Sequence, residues 1–153
     1  MINAITGDIL TAKGIIIHQV NCRGVMGSGV AKAIREKWPT AFDAYRSHWE
    51  RMGGASNADE MLGDVVFADV GDVWVGNCFA QDGYGKDGRR YTSYDALDRC
   101  MIEVARLAPK FAGASINFPL IGCGTGGAKW EVVKEIIEHR IPDSFVKNLW
   151  TLP

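Results

Sequence analysis

The sequence predicts an α/β protein of three layers, in which a mixed, largely parallel sheet of about six strands lies between two layers of helices. Two observations support this prediction. Short β-branched runs alternate with segments of helical periodicity along the chain, which is typical of parallel sheets. In addition, the runs Gly14–Val20 and Ala114–Leu120 are each followed by a glycine-rich loop and then by a helical segment.

The first half of the chain is predicted to contain two strands and two helices. Gly14–Val20 is a compact β-branched run, typical of a buried strand. Val30, Ile34 and Trp38 recur at helical spacing, so a helix is expected there. The predicted elements are a strand over Met1–Ile5, a strand over Gly14–Val20, a helix over Val30–Trp38, a helix from Pro39 to about Met52, and a polar loop over Gly53–Glu60.

The second half begins with a predicted hairpin, because two apolar runs flank the turn-forming pair Gly71-Asp72. Thr92 or Ser93 is expected to cap a helix that continues to about Ala108. The predicted elements are strands over Gly63–Val70 and Val73–Phe79, a polar loop over Gln81–Arg90, a helix ended by Pro109 and Gly113, a strand over Ala114–Leu120, a helix over Lys129–His139, and a strand over Phe145–Leu152.

Composition argues against several classes of protein. The net charge of −1 gives no basic field for a nucleic-acid backbone or an anionic membrane, and no apolar run is long enough to span a membrane. The four cysteines lack CxxC spacing and only three histidines are present, so we expect no metal site and no cofactor. No signal peptide is visible, and we expect a monomer in a reducing cytoplasm.

Two glycine-rich loops, 21–29 and 121–127, are the main functional signal. Each follows a predicted strand, and the carboxyl ends of parallel strands share one edge of a sheet. We therefore expect both loops to line one cleft, each presenting free backbone N–H groups at a helix N-terminus, where an anion is favoured. Such a pair could hold a diphosphate without many basic side chains. The alternative interpretation is that both loops are only tight turns.

The second loop also formally fits other motifs. Gly122–Gly127 matches GxGxxG, but too little chain follows it for a dinucleotide-binding half. It is not a P-loop, because no GK[ST] is present. Cys123 resembles the nucleophile of a cysteine phosphatase, yet Lys129 stands where that chemistry requires a bidentate arginine. A cysteine nucleophile is the least favoured of these alternatives.

Three segments together resemble the macro domain, the α/β module that binds ADP-ribose. Thr6–Ile9 resembles its opening motif, His18–Ala31 its first phosphate loop, and Phe118–Trp130 its second. The order of elements also matches from end to end. The resemblance implies a single macro domain over residues 1–153, with ADP-ribose or ADP-ribose 1″-phosphate as the ligand.

The resemblance also implies which residues bind this ligand. Asp8 would accept a hydrogen bond from the adenine amino group, Ile9 would also contact adenine, and Asn21 would contact the distal ribose. Phe79 and Leu152 are candidates to line the adenine or ribose pocket. The diphosphate would be held by the backbone of the two loops, namely Gly27, Ser28, Gly29 and Val30 in the first and Gly122, Cys123, Gly124, Thr125, Gly126 and Gly127 in the second.

Within the family, the stretch from His18 to Ala31 is most similar to that of the ADP-ribose 1″-phosphate phosphatases. This implies hydrolysis of a phosphomonoester, with Asn21 orienting the distal ribose and His18 or Asp82 acting as acid or base. A histidine suits that role because its pKa lies near neutrality, and Asp82 is the acid of the loop 81–90 to test first. His18 in an apolar strand could equally be a core residue, and it should face the side opposite to Gln19 and Asn21.

The positions used by ADP-ribosyl hydrolases differ here. One branch has a lysine after the fourth strand and an acid in the second loop, where this chain has Ala80-Gln81 and Gly126. Another has an aspartate after the first loop, where Ala31 stands. These departures argue against glycohydrolase activity, although it stays an alternative. A reader that binds ADP-ribose without turnover is the other.

Overall fold

The computed structural model describes residues 1–111 and 114–153, so Gly113, one of the two predicted helix-ending residues, lies outside the described residues. The described chain forms six strands and five α-helices. The strands are β1 (Ile2–Thr6), β2 (Gly14–Val20), β3 (Val65–Asp69), β4 (Val73–Phe79), β5 (Ile116–Phe118) and β6 (Lys147–Thr151). The helices are α1 (Gly29–Lys37), α2 (Pro39–Arg51), α3 (Ala58–Met61), α4 (Tyr94–Leu107) and α5 (Trp130–Arg140).

The strands form one sheet in the order β1-β6-β5-β2-β4-β3. All neighbours are parallel except β3 and β4, which form the predicted antiparallel hairpin. The longest parallel pairing joins β2 to β4, from Gly14 opposite Val73 to Val20 opposite Phe79. The prediction of a mixed, largely parallel sheet is therefore confirmed, and β2 is central to it.

Alternation along β2 shows how the three layers are built. Ile15 and Ile17 pack in the cluster formed with α4 and α5, whereas Ile16 packs with Ile34 of α1 and Ala41 of α2 on the opposite face. All three isoleucines are fully buried. A strand with helices on both faces buries side chains on both, which is why three isoleucines follow one another here without a polar residue between them. The predicted three-layer arrangement is confirmed.

The start of α4 decides between the two predicted caps. Ser93 is the N-cap, and its hydroxyl accepts a hydrogen bond of 3.1 Å from the amide of Ala96. Thr92 is instead buried, and its hydroxyl donates to the carbonyl of Gly122 at 3.0 Å. Adjacent residues therefore have different roles: Ser93 caps the start of the helix, and Thr92 contacts the second glycine loop.

The predicted polar loop over 53–60 is partly wrong. It contains a 3-10 turn over Gly54–Asn57 and most of the short helix α3. Ala58 and Met61 are buried in the cluster around Tyr45, and this packing outweighs the polar composition of the segment. The predicted strands at 63–70, 114–120 and 145–152 are each shorter in the structure. Among the described helices, none has the length and apolar character needed to cross a bilayer.

Candidate functional site

A cleft of about 1060 Å³ opens at the carboxyl edge of the sheet. The parallel strands β2, β4 and β5 all end at this edge, so the loops that follow them converge there. The described residues that line the cleft are His18, Gln19, Val20, Asn21, Val25, Met26, Gly27, Ser28, Gly29, Val30, Ala31, Arg35, Gln81, Tyr84, Lys86, Pro119, Leu120, Ile121, Gly122, Cys123, Gly124, Thr125 and Gly126. Both glycine-rich loops thus face one cavity.

The first glycine loop leads directly into α1. Ser28 is the N-cap of this helix, but its side chain makes no capping hydrogen bond. The first intrahelical bond of the turn runs from the amide of Lys32 to the carbonyl of Ser28, at 3.2 Å. The amides of Gly29, Val30 and Ala31 therefore have no partner within the helix. They lie at its N-terminus, which is the positive end of the helix dipole. Free amides at the start of a helix favour an anion.

The second glycine loop folds back on itself through its carbonyls. The amide of Ala128 donates to Gly122 and the amide of Gly127 donates to Gly124, at 2.8 and 3.1 Å. Within the described part of the chain, the amides of Gly124, Thr125 and Gly126 donate to no protein group. These three N–H groups precede α5 by several residues, because Lys129 is its N-cap. The expectation that this loop uses a helix N-terminus is therefore wrong, since its free donors belong to the loop itself.

Two glycines of the loops have no explanation within the protein fold. Among the described glycines, Gly27 and Gly124 are the two that combine an ordinary backbone angle with no atom within 4 Å of an added Cβ. Glycine is usually required by a left-handed conformation or by a close neighbour. Neither reason applies to Gly27 or Gly124, and each leaves open space beside its loop where a side chain would stand. This arrangement fits a ligand that approaches the backbone closely on both sides.

The charge of the cleft favours an anion. Its described lining contains Arg35 and Lys86 but no aspartate or glutamate. Arg35 lies in the last turn of α1, on the same helical face as Ala31, and its guanidinium adds a full positive charge to the cleft lining. Lys86 comes from the loop after β4. The near-neutral net charge of the chain thus conceals a locally positive cavity.

Asn21 lines the cleft, but its amide is engaged within its own loop. Its Oδ1 accepts hydrogen bonds from the amide of Arg23 and the hydroxyl of Tyr45, both at 2.9 Å, and its Nδ2 donates to the carbonyl of Val25 at 3.0 Å. Asn21 lies just beyond the end of β2, so the alternation of that strand no longer sets its direction. The expectation that it faces the same side as Gln19 is wrong, because Tyr45 belongs to the opposite helix layer.

His18 reaches the cleft from the buried end of β2. It is 1% exposed, and its Nε2 lies 2.6 Å from Oδ1 of Asn77. Burial lowers the pKa of His18 to about 4, and the hydrogen bond to Asn77 only partly opposes this effect. The imidazole is therefore neutral near pH 7. Its Nδ1 is buried and has no partner among the described residues, so an acceptor is left at the cleft wall.

Asp82 lies at the edge of the site and outside the cleft lining. Its carboxylate forms an ion pair of 3.1 Å with Nε of Arg23, and both side chains are about half-exposed, at 48% each. Its carbonyl accepts from the amide of Cys22 at 2.9 Å. Asp82 therefore joins the loop after β4 to the first glycine loop. Its predicted role as acid or base stays a prediction.

The residues predicted for the adenine end lie beyond the cleft lining. Asp8 is exposed, and its Oδ1 accepts from the amide of Leu10 at 2.9 Å, which caps a 3-10 turn and leaves Oδ2 free. Ile9 is mostly buried and Leu152 is exposed. The amide of Gly7 donates to the carbonyl of Thr151, so the ends of β1 and β6 bring this group to the same sheet edge as the loops. Its contact with adenine stays a prediction.

Two further predicted residues have positions of their own. Phe79 is fully buried and stacks on Tyr45 with ring centroids 5.2 Å apart. The proposal that it lines a ligand pocket is therefore corrected, because the ring belongs to the core and has no exposed face. Gly127 lies just outside the lining, at a left-handed φ of 73°.

Cys123 lines the cleft without the properties of a nucleophile. Burial raises the pKa of its thiol, and the nearby charge of Glu131 adds to the effect. Its Sγ lies 3.3 Å from the carbonyl of Ile121. A nucleophilic cysteine requires a lowered pKa and a cationic environment. The structure therefore argues against Cys123 as a catalytic nucleophile.

Several lining residues were not identified from the sequence. Arg35 could have been found, because it follows Ala31 by one helical turn. Gln19 and Gln81 could not, since their partnership depends on the pairing of distant strand ends: Nε2 of Gln19 donates to Oε1 of Gln81 at 2.7 Å. Within residues 1–111 and 114–153, no group of three or more His, Cys, Asp or Glu side chains is placed to hold a metal ion.

Comparison with known proteins gives consistent results. The family model described as Macro domain matches residues 17–137. A curated relative from Mycobacterium tuberculosis, named DNA ADP-ribosyl glycohydrolase, is 28% identical over 88% of this chain, which spans only 37% of that relative's length. A relative from Meyerozyma guilliermondii, named ADP-ribose 1″-phosphate phosphatase, is 27% identical over 92% of this chain and 94% of its own. The solved macrodomain protein of Streptomyces coelicolor has a TM-score of 0.80 and 28% identity, and the match covers 99% of each chain.

Proposed function

This chain belongs to the macro domain family, and we propose that it binds ADP-ribose and hydrolyses ADP-ribose 1″-phosphate to ADP-ribose and phosphate. The binding part of the proposal depends on one observation, the two loops of free amides on either side of a single cleft. A diphosphate between them would receive N–H donors from Gly29–Ala31 on one side and Gly124–Gly126 on the other. Gly27 and Gly124 provide the space for that approach.

The proposed reaction needs a water molecule and no covalent intermediate. Water attacks the phosphorus of the 1″-phosphate, the bond between phosphorus and the C1″ oxygen breaks, and that oxygen leaves with a proton as the hydroxyl of ADP-ribose. Arg35 and Lys86 are the cations of the cleft lining that can stabilise the charge on the phosphoryl oxygens. The homologue from Meyerozyma guilliermondii, which covers nearly the whole chain, supports this substrate.

Two assays on the purified chain test the proposal. Titration calorimetry with ADP-ribose should give saturable binding, and release of inorganic phosphate from ADP-ribose 1″-phosphate should be catalytic. Binding without phosphate release would select the reader alternative. Failure to bind ADP-ribose would contradict the proposal as a whole.

The carboxylate of Asp82 is the acid or base candidate to test first, because it is half-exposed at the edge of the cleft, where water and a ligand can reach it. Asp82→Asn should lower phosphate release by about 100-fold, which is typical for loss of general acid or base catalysis, and should leave ADP-ribose affinity within about twofold. Arg23→Gln is the matched control, since it removes the ion pair but keeps the carboxylate. Equal losses in the two variants would show that Asp82 only joins the loops.

A second candidate function is removal of ADP-ribose from DNA, favoured by the relative from Mycobacterium tuberculosis. The cleft lining argues against this candidate at three positions. Ala31 stands where a catalytic aspartate is expected, Gln81 where a lysine is expected, and Gly126 where an acidic residue is expected. Lys86 is the lysine that reaches the lining. Incubation with an ADP-ribosylated oligonucleotide tests this candidate, and release of free ADP-ribose that is lost in Lys86→Met would support it.

Cytoplasmic location and a monomeric state stay predictions. The four cysteines are free thiols in the structure, which fits a reducing compartment. Light scattering after size-exclusion chromatography would test the monomer, and cell fractionation would test the location.

A further inference from the structure

We propose that Thr92 is the positioning residue that holds the second glycine loop in its anion-binding shape. The ligand in this inference rests on the proposed function, whereas the effect on the loop does not. Thr92 lies directly before the N-cap of α4, is 2% exposed, and does not line the cleft. It therefore acts from behind the loop and touches no ligand.

The hydroxyl of Thr92 links β2 to the loop. It accepts a hydrogen bond from Nε2 of Gln19 at 2.8 Å and donates one to the carbonyl of Gly122 at 3.0 Å. The same carbonyl accepts from the amide of Ala128 at 2.8 Å, which closes the loop. The buried hydroxyl of Thr92 therefore both accepts and donates a hydrogen bond. Water could make these bonds in its place only if the core opened.

The backbone beside this hydroxyl ties down the other end of the loop. The amides of Tyr91 and Thr92 both donate to the carbonyl of Gly126, at 2.8 and 3.0 Å. The carbonyls of Gly122 and Gly126 are therefore satisfied on the side away from the cleft. Because these acceptors are fixed behind the loop, their negative ends do not face an incoming diphosphate, and the amides of 124–126 are left free.

Two glycines of the loop pack directly against the hydroxyl of Thr92. A Cβ on Gly122 or on Gly126 would lie 2.6 Å from Oγ1 of Thr92, a distance that requires displacement. Gly126 has no left-handed backbone angle, so close packing against Thr92 and the Gly122 carbonyl is what demands glycine there. Gly122 and Gly126 thus fit the threonine, whereas Gly124 between them faces open space.

Gln19 extends the link to the loop after β4. Its Nε2 also donates to Oε1 of Gln81, which forms an isolated β-bridge with Thr92. One half-buried side-chain amide therefore joins the end of β2, the loop after β4 and, through Thr92, the second glycine loop. A change at Thr92 should alter the loop that holds the diphosphate before it alters the fold.

Three variants of the full chain test this role. Thr92→Val keeps the shape of the side chain and removes the hydroxyl, and Thr92→Ser restores the hydroxyl. Ser93→Ala is the matched control, because it removes the neighbouring helix cap without touching the loop. Two measurements are made on each: hydrogen exchange of the Gly127 and Ala128 amides without ligand, and the Kd values for ADP-ribose and for adenosine, which lacks the diphosphate.

We expect Thr92→Val to speed exchange of both amides about tenfold and to weaken ADP-ribose binding by a similar factor, with adenosine binding unchanged. Thr92→Ser should restore both values. Ser93→Ala should lower the melting temperature and change neither. Unchanged exchange in Thr92→Val, or equal effects in Ser93→Ala, would overturn the inference. If the wild type does not bind ADP-ribose, the proposed function fails and the exchange rates alone still decide the role of Thr92.

Discussion

Nε2 of His18 lies 2.6 Å from Oδ1 of Asn77 inside the core, at the wall of the cleft. Nδ2 of Asn77 donates to the carbonyl of Ala41 at 3.2 Å, so Oδ1 faces the histidine as an acceptor. Nε2 must therefore carry the proton, and Nδ1 is left as an unpartnered acceptor. The pair fixes both the tautomer and the neutral state of a histidine that the sequence places in an apolar strand.

The first prediction concerns the pH dependence of stability. Burial lowers the pKa of His18 from 6.5 to about 4. Between these values the unfolded chain takes up a proton that the folded chain does not, so the free energy of unfolding should fall as the pH falls, by up to about 1.4 kcal/mol per pH unit. Above pH 6.5 His18 should add no slope. Urea unfolding at several pH values measures this dependence.

His18→Gln should remove that proton from the difference between the states, because glutamine can still donate to Asn77 but does not titrate. Between pH 6.5 and 4, the slope of the free energy of unfolding against pH should be smaller in this variant than in the wild type. The difference corresponds to the uptake of up to about one proton. An unchanged slope would show that the folded chain protonates His18 as readily as the unfolded chain does.

The second prediction concerns the open glycines. Gly27→Ala and Gly124→Ala should weaken ADP-ribose binding by about tenfold or more, because the new Cβ occupies the ligand's space, whereas the melting temperature should stay constant or rise slightly. Calorimetry and thermal unfolding measure the two effects. Gly71→Ala is the control with the opposite pattern, since Gly71 has open space but a left-handed φ of 106° in a distant hairpin. It should lower stability and leave affinity unchanged.

The third prediction concerns the charge of Arg35. Arg35→Gln should weaken binding of ADP-ribose 1″-phosphate by about three- to tenfold, and the difference should shrink as salt is added. Lys32→Gln provides the matched control on the same helix, because Lys32 pairs with Glu36 at 3.8 Å and does not line the cleft. Equal losses in both variants would indicate a general effect of charge on α1.

The fourth prediction concerns Cys123. Its raised pKa keeps the thiol protonated at neutral pH, so it should not attack phosphorus. Cys123→Ser should retain phosphate release within about twofold, and iodoacetamide at pH 7 should not inactivate the wild type quickly. A loss of 100-fold or more in Cys123→Ser, with ADP-ribose binding intact, would restore the cysteine nucleophile as a mechanism.

Local patterns were sufficient for most of the fold. Gly14–Val20 and Val73–Phe79 have the bounds that the sequence predicts, because runs of β-branched and apolar residues bounded by glycine leave little choice of structure. The segment 53–60 has the composition of a loop, whereas the burial of Ala58 and Met61 depends on packing against Tyr45 of α2. Packing of this kind has no local signal.

The sequence by itself determined the layers, the order of elements and the two glycine-rich loops, because strand and helix periodicity and glycine clusters are local properties of the chain. Only the tertiary structure decided which groups of those loops are free. Thr92 donates to the Gly122 carbonyl of the second loop, and Gln19, which lies 73 positions before Thr92 in the chain, donates to the hydroxyl of Thr92. Likewise, the burial of His18 and the ion pair of Asp82 with Arg23 arise from contacts across the sheet edge. Burial keeps the His18 imidazole neutral, and the ion pair fixes the position of the Asp82 carboxylate.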